Sequence, residues 1–151
     1  MEAINLSTIR FHIKTGANGW LSNFAPYPIV VDRIQWPTSE HFYQANKFTN
    51  DPEWMEAIRG SRGPYEAWRM GRSSDHPQRS DWNEVKESVM ITAVRSKFEQ
   101  HSDLQSFLLE TEHAVLIEHA PNDAFWGNGG DGSGENRLGK ILMMIRAELQ
   151  T

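Results

Sequence analysis

A helix is predicted by residues 36–48, which read WPTSEHFYQANKF. Pro37 ends the β-branched stretch before it, because proline cannot donate a hydrogen bond to a continuing sheet. Thr38 or Ser39 can accept a hydrogen bond from the first backbone amides of the helix, as N-cap residues do. We therefore expect a helix that begins beside this cap and runs to about Phe48.

Three reactive side chains of this helix share one face. Glu40, Gln44 and Lys47 stand at positions i, i+4 and i+7, and at about 100° per residue they return to nearly the same direction. An acid, an amide and an amine could therefore meet one small ligand. The alternative interpretation is a solvent-exposed polar stripe, which has the same pattern.

Length and composition indicate one domain. A chain of 151 residues can bury a substantial core, so we expect a single domain over residues 1–151. The chain has no cysteine, which excludes disulfides, thiolate catalysis and cysteine-based metal sites. No apolar run approaches the ~20 residues of a membrane-spanning helix, and the first residues lack a secretion-signal pattern. We expect a cytoplasmic protein with no membrane association.

The charge balance limits the possible partners. A formal net charge of −5 argues against bulk electrostatic attraction to nucleic acid, which needs a field of lysine and arginine. A local basic segment nevertheless lies between Arg59 and Arg79, where only Glu66 and Asp75 oppose five arginines. This segment is either a solvated surface or a place to hold phosphate, for which guanidinium groups are well suited.

Helical segments predominate along the chain, and no linker, repeat or low-complexity boundary interrupts them. Short strands are predicted from Ile9 to Ile13, from Pro28 to Trp36 and from Ala114 to Glu118. Further helices are predicted from Pro52 to Arg59, from Pro64 to about Met70, from the Asp81 cap to about Gln100, from Ser102 to about Glu110, and after Asn136. The expected fold class is therefore α+β, a single, predominantly helical domain with a few short strands.

Two of these helices have specific start signals. Asp81 and Glu84 are spaced as a capping box, in which each side chain bonds the other residue's backbone amide. The residues that follow can form one buried edge: Val85, Val89, Ala93 and Phe98. Asn136 can cap the last helix, whose apolar face would comprise Leu138, Ile141, Leu142, Ile145 and Leu149.

The irregular stretch from Pro121 to Glu135 contains five glycines between Gly127 and Gly134. Such a backbone can approach a ligand closely and present amide groups to it. A flexible surface loop would have the same glycine-rich sequence. The stretch matches G-x-G-x-x-G, but a long loop separates it from the preceding strand. It also matches G-x-x-x-x-G-K, but Ile141 stands where a serine or threonine is required. We interpret both matches as accidental.

Metal and serine chemistry have little support. The six histidines include no H-x-x-x-H pair, and the loop does not fit a calcium-binding spacing. No G-x-S-x-G motif is present. We therefore expect no metal and no cofactor.

The remaining reactive groups suit the cleavage of a bond between sugar C1 and nitrogen. That reaction passes through an oxocarbenium-like state, which a carboxylate such as Glu40 or Asp123 can stabilise while an acid protonates the leaving nitrogen. Alternatively, Lys47 could attack an opened sugar and form a Schiff base if burial lowers its pKa. Several of the six tryptophans stand beside polar residues or glycines, as expected in a pocket for a flat heterocycle.

Taken together, the motifs of this chain resemble the NADAR family, which includes bacterial YbiA-like N-glycosidases. The resemblance rests on five segments in order: SNF at residues 22–24, the helix motif at 36–48, RMGR at 69–72, KF at 97–98, and DAFWGNGGDGSGENRLG at 123–139. It covers nearly the whole chain. The residues before SNF depart from it, because Trp20 and Leu21 occupy a place that is often acidic or small.

The resemblance implies a small, mostly helical α+β domain that hydrolyses N-glycosidic bonds to a ribose carrying phosphate or ADP. Carried over residue by residue, it implies catalytic roles for Glu40, Lys47 and Asp123. It also implies substrate contacts by Asn23, Phe24, Tyr43, Gln44, Arg72, Trp82, Trp126, Gly127 and Asn136.

Three functions remain open at this point. The first is removal of ADP-ribose from guanine, in a nucleotide or in ADP-ribosylated DNA or RNA. The second is hydrolysis of phosphoribosylamino-pyrimidine intermediates of riboflavin synthesis. The third is a non-catalytic module that binds ADP-ribose or NAD. The expected partner in each case is a ribosylated nucleotide or a compound containing ADP-ribose, and the oligomeric state is not predicted.

Overall fold

The computed structural model of the chain describes residues 7–12 and 16–151. It has an α+β fold, which confirms the predicted class. The strands are β1 (Thr8–Phe11), β2 (Ile29–Val31), β3 (Ile34–Trp36) and β4 (Val115–Glu118). The helices are α1 (Ser39–Ala45), α2 (Pro52–Arg59), α3 (Pro64–Met70), α4 (Trp82–Gln100), α5 (Ser102–Glu110) and α6 (Arg137–Leu149). Two short 3₁₀ helices occupy Gly19–Leu21 and Asn46–Phe48.

The chain divides into two compact units. The first unit comprises residues 1–22 and 102–151, and the second comprises residues 23–101. The expectation that residues 1–151 form one domain stays a prediction.

In the first unit, the strands β1 and β4 pair in parallel. Thr8 stands opposite Val115 and Phe11 stands opposite Glu118. Ile13, the predicted end of β1, lies outside the described residues. Helix α6 packs against β4, and a β-carbon on Gly139 would lie only 2.1 Å from the carbonyl oxygen of Leu116. The glycine therefore allows the close approach of helix and strand.

The predicted apolar face of α6 is confirmed over most of its length. Four of its residues are buried and Leu149 is half-buried; the buried ones are Leu138, Ile141, Leu142 and Ile145.

In the second unit, the segment from Pro28 to Trp36 is a hairpin, so the prediction of one strand there is wrong. The strands β2 and β3 pair antiparallel, with Ile29 opposite Trp36. Asp32 and Arg33 form the turn with φ angles of 52° and 68°. Two successive positive φ angles are characteristic of a two-residue hairpin turn. Asp-Arg is not the Asn-Gly or Asp-Gly pair that usually signals such a turn.

Helix α1 lies in the core of the second unit. All seven of its residues are buried, and it packs against α2, α3 and α4. The core around it contains Ile29, Trp36, Phe42, Ala45, Phe48, Ile58, Ala67 and Ala93. Thr38 caps the helix by accepting a hydrogen bond from the amide of His41 at 3.1 Å, as predicted.

Helix α4 has the predicted extent but lacks the predicted capping box. The carboxylate of Asp81 accepts hydrogen bonds from the Arg79 guanidinium at 2.6 and 2.9 Å and makes no capping hydrogen bond. An ion pair with a neighbouring arginine thus replaces the bond to the helix amide. Of the predicted buried edge, Ala93 and Phe98 are buried and Val85 and Val89 are half-buried.

Candidate functional site

The carboxylate of Glu40 and the amide of Gln44 are joined inside the second unit. The Nε2 atom of Gln44 donates a hydrogen bond to Oε1 of Glu40 at 2.8 Å. The two residues are only 6% and 3% exposed. The interpretation of this helix face as a solvent-exposed stripe is therefore wrong, because water reaches little of either side chain.

Lys47 places an amine beside this pair. It lies on the 3₁₀ turn that follows α1 and is half-buried. Burial lowers the pKa of Lys47 to about 8; the negative charge of Glu40 opposes this shift, and the positive charges of Arg72 and Lys86 add to it. The amine is therefore mainly a cation at neutral pH, with a minor neutral fraction that grows as the pH approaches 8, which suits either electrostatic or nucleophilic chemistry.

Two aromatic rings lie next to the amine. The Nζ atom of Lys47 is 5.6 Å from the centre of the Tyr43 ring, and the centre of the Trp82 ring is 5.2 Å from that of Tyr43. Both rings belong to buried residues. The pair can form an apolar wall for a flat ring, and it reduces the solvation of the amine.

Asn23 connects its own loop to the start of α1. Its Oδ1 accepts a hydrogen bond from the Ser39 hydroxyl at 2.8 Å, and its carbonyl oxygen accepts one from the amide of Glu40 at 3.2 Å. Its Nδ2 lies 3.2 Å from the sulfur of Met90 on α4. Asn23 thus fixes the end of α1 that carries Glu40, and its neighbour Phe24 is half-buried.

Arg72 is exposed just beyond α3. Its guanidinium lies 4.8 Å from the centre of the Trp68 ring, and its charge acts on Lys47. Other arginines of the basic segment are paired: Arg59 with Glu56, Arg69 with Glu66 and Arg79 with Asp81. The interpretation as a solvated surface therefore fits these three, whereas Arg72 is the arginine that acts electrostatically on the candidate site.

In the first unit, Asp123 organises the glycine-rich loop. Its Oδ1 accepts hydrogen bonds from the amides of Phe125 at 3.0 Å and Trp126 at 2.8 Å. Its carbonyl oxygen accepts one from the amide of Gly129. The ring of Trp126 packs edge-on against that of Phe125, with 4.7 Å between centres. Asp123 holds the loop in shape, and its catalytic role stays a prediction.

Gly127 and Asn136 make close contacts within the first unit. A β-carbon on Gly127 would lie 2.5 Å from the β-carbon of Ala120. Asn136 stands at the predicted N-cap position of α6, but its side chain makes no capping hydrogen bond. Its side chain instead accepts a hydrogen bond from the Glu118 amide at 3.0 Å and donates one to the Leu116 carbonyl at 2.9 Å. The amide group thereby occupies the edge of β4 like a further residue of the sheet.

A pocket of about 420 Å³ also lies in the first unit, and the sequence did not suggest it. Its walls include Arg10, His12, His119 and Asn128, and none of the predicted site residues lines it. The Oδ1 of Asn128 accepts hydrogen bonds from two backbone amides, so its Nδ2 is the atom that faces Nδ1 of His119 at 3.3 Å. This contact favours the tautomer of His119 that carries its proton on Nε2.

The predicted site residues thus form two groups. The structure brings Glu40, Gln44, Lys47, Tyr43, Trp82 and Arg72 together in the second unit, with Asn23 and Phe24 on the loop that is bonded to the start of α1. Asp123, Trp126, Gly127 and Asn136 belong to one loop of the first unit. Sequence reasoning missed the influence of Lys86 on Lys47, because a lysine on a long helix gives no signal of its own.

Neither a metal site nor a membrane span is found in the part of the chain that the structure describes. Residues 7–12 and 16–151 contain no group of three or more His, Asp or Glu placed to hold a metal ion. Within the same ranges, no helix combines the length and apolar character needed to cross a membrane.

Comparisons with known proteins show the family of the chain. The sequence profile of the NADAR domain matches residues 10–150. The chain is 50% identical over 141 residues to the N-glycosidase YbiA of Escherichia coli, a match that covers 93% of this chain and 88% of that protein. The solved NMR structure of E. coli YbiA covers 98% of this chain and 88% of its own, with a TM-score of 0.88 and 48% identity.

A longer relative carries a different name. The chain is 44% identical over 142 residues to a riboflavin biosynthesis protein of Vibrio vulnificus, and the match covers 94% of this chain but 38% of that protein. The profile match and the identity to YbiA both extend over most of the chain. The chain therefore belongs to the NADAR family and is a hydrolase that acts on N-glycosyl bonds.

Proposed function

We propose that the bond hydrolysed by this protein joins C1 of a phosphorylated ribose to the amino nitrogen of a pyrimidine, as in phosphoribosylamino-pyrimidine intermediates of riboflavin synthesis. The observation that carries the proposal is the buried Glu40 carboxylate with the Lys47 amine beside it. The name of the Vibrio vulnificus relative favours this substrate class.

In this proposal, Glu40 lies next to the anomeric carbon. As the C1–N bond breaks, its electron pair leaves with the nitrogen, which takes up a proton from solvent, and positive charge develops at C1. The carboxylate stabilises that charge and accepts a proton from the water whose oxygen bonds to C1. The products are the free amine and the ribose phosphate.

Two further groups would position the substrate. The Tyr43 and Trp82 rings offer an apolar surface for the base. The guanidinium of Arg72, exposed and close enough to act on Lys47, is suited to a phosphate. Asp123 and Trp126 remain predicted contributors from the glycine-rich loop.

A second candidate substrate is ADP-ribosyl-guanine. The contact between Arg72 and the Trp68 ring favours it, because an exposed aromatic ring beside a guanidinium suits the adenine and diphosphate of an ADP-ribose. Both substrates would use the same carboxylate and amine, and they differ in the groups beyond the ribose phosphate.

The test is to incubate the purified protein separately with phosphoribosylamino-uracil and with ADP-ribosylated guanosine. The free base and the sugar phosphate are measured by chromatography. Glu40→Gln should abolish release without loss of folding, whereas Glu53→Gln on the exposed face of α2 should leave the rate unchanged. Release from the first substrate alone supports our proposal, release from the second alone supports the alternative, and release from neither overturns both.

A further inference from the structure

Gln44 was expected to contact substrate, but its donor group is already in use. Its Nε2 donates to Oε1 of Glu40 at 2.8 Å, and its side chain is almost completely buried. The carbonyl oxygen at the other end of the same amide has no hydrogen-bond partner among the described residues. The position of this amide must therefore be maintained by packing.

Gly71 supplies that packing. A β-carbon on Gly71 would lie 1.9 Å from Oε1 of Gln44, 2.7 Å from its Cδ and 3.1 Å from its Cβ. The backbone of Gly71 is ordinary right-handed helix, with φ −66° and ψ −14°, so any residue could adopt it. A glycine is needed here because the Gln44 amide rests directly on its α-carbon.

The Glu40 carboxylate determines which way the amide faces. With the carbonyl end of Gln44 against Gly71, the NH₂ end is directed to the Glu40 carboxylate. The opposite orientation would place the carbonyl oxygen against a carboxylate oxygen, which is repulsive. A hydrogen bond donated to the carboxylate stabilises its ionised form.

We propose that Gly71 and Gln44 form a brace that holds the Glu40 carboxylate in the orientation that N-glycosyl hydrolysis requires. Gln44 is a positioning residue that acts through Glu40, and Gly71 acts through Gln44. The inference rests on the proposed role of Glu40 and specifies that role further. A carboxylate that accepts this hydrogen bond serves as a base and as a stabiliser of positive charge.

The charge of Lys47 acts on Glu40 in the same direction. Lys47 interacts with it directly, and Arg72 and Lys86 act on Lys47 from the end of α3 and from α4. The ion pairs Glu56 with Arg59 and Glu66 with Arg69 link neighbouring turns of α2 and α3. The positive charge of Lys47 thus acts on Glu40 in the same sense as the hydrogen bond from Gln44.

The test is a double-mutant cycle that measures release of the base from phosphoribosylamino-uracil. If the protein turns over only ADP-ribosylated guanosine, that compound is the substrate in the cycle. Gly71→Ala should lower kcat tenfold or more while KM changes less, because the new methyl group displaces the Gln44 amide. In a Gln44→Ala background the amide is absent and only the β-carbon of residue 44 remains, at 3.1 Å; Gly71→Ala should therefore cost clearly less there than in the wild type. Gly60→Ala is the matched control: Gly60 also ends a helix, and its β-carbon would meet only the Glu56 carbonyl oxygen at 3.6 Å.

A second measurement separates positioning from mere stability. Gln44→Met conserves volume but removes the donor, so the acidic limb of the pH profile of kcat/KM should move to higher pH by at least half a pH unit. This variant also decides the question if Gly71→Ala fails to fold. An unchanged acidic limb, wild-type turnover by Gly71→Ala, or equal losses from Gly71→Ala in both backgrounds would overturn the brace. Turnover by Glu40→Gln would instead overturn the role of Glu40 itself.

Discussion

The amine of Lys47 lies 5.6 Å from the centre of the Tyr43 ring, so an aromatic face covers one side of a cation that the chain has partly removed from water. Desolvation disfavours the charged form of an amine. Here it lowers the pKa of Lys47 to about 8 despite the neighbouring carboxylate of Glu40.

A covalent role for Lys47 predicts a specific pH dependence. Only the neutral amine can attack the opened sugar, so kcat should rise with pH and level off above about 8. Borohydride should trap a substrate adduct on the wild type but not on Lys47→Ala, and mass spectrometry would detect it. Lys140→Ala, on an exposed position of α6, serves as the control. A rate that falls as the pH rises through the same value would mean that Lys47 acts as a cation.

Lys86 offers an independent check that the pH dependence of kcat reports the titration of Lys47. Its positive charge contributes to lowering the pKa of Lys47, so Lys86→Met should move the midpoint of the profile to higher pH. The profile is measured as kcat between pH 6 and about 9.5. A midpoint that does not move would show that the profile reports another group.

Substitutions of Asp123 can separate its structural role from its predicted chemical role. Its structural role is to accept hydrogen bonds from two backbone amides. Asp123→Ala removes the acceptor for the Phe125 and Trp126 amides and should destabilise the protein by about 1–2 kcal/mol. Asp123→Asn keeps an acceptor oxygen and should unfold close to the wild-type denaturant concentration. If the carboxylate takes part in the reaction, both variants lose turnover. Full activity of Asp123→Asn would leave Asp123 with only its role in the loop.

Trp82 should matter for both stability and binding. It is 7% exposed and packs against Tyr43, so Trp82→Ala should cost about 3 kcal/mol of unfolding free energy. Trp82→Phe keeps an aromatic ring and should cost less, while raising KM more than it lowers kcat. Urea denaturation and steady-state kinetics on the same samples would measure these effects. An unchanged KM for Trp82→Phe would argue against a wall for the base.

The buried Lys97 should make stability depend on pH. Burial lowers its pKa to about 7 from an ordinary value of 10.5. Between these two values the unfolded chain binds more protons than the folded one, so the unfolding free energy should increase with pH across that window. Urea denaturation at pH 7 and at about pH 9.5 would show the increase in the wild type and a flatter dependence in Lys97→Met. An equal increase in both proteins would contradict this expectation.

Local signals predicted the helices well, because they act within a few residues. The bounds of α2 follow from Asp51, which caps it through the Trp54 amide at 3.2 Å, from Pro52 in the first turn and from Gly60 at the end. The hairpin of β2 and β3 was missed because the Asp32 and Arg33 turn lacks its usual residues. Asn136 stands at the predicted N-cap position, but its side chain bonds β4 instead of the helix amides. The local sequence could not predict this, because β4 is distant in sequence.

The sequence by itself determined the family motifs, the helix that carries Glu40 and Gln44, and the spacing that puts these two residues on one face, since helical periodicity depends only on the local backbone. The tertiary structure alone decided that this face is buried, that the Lys47 amine loses its solvation, and that the Gln44 amide rests on Gly71. These properties depend on which residues distant in sequence become neighbours, and the desolvation and close packing that follow exist only once the chain has folded.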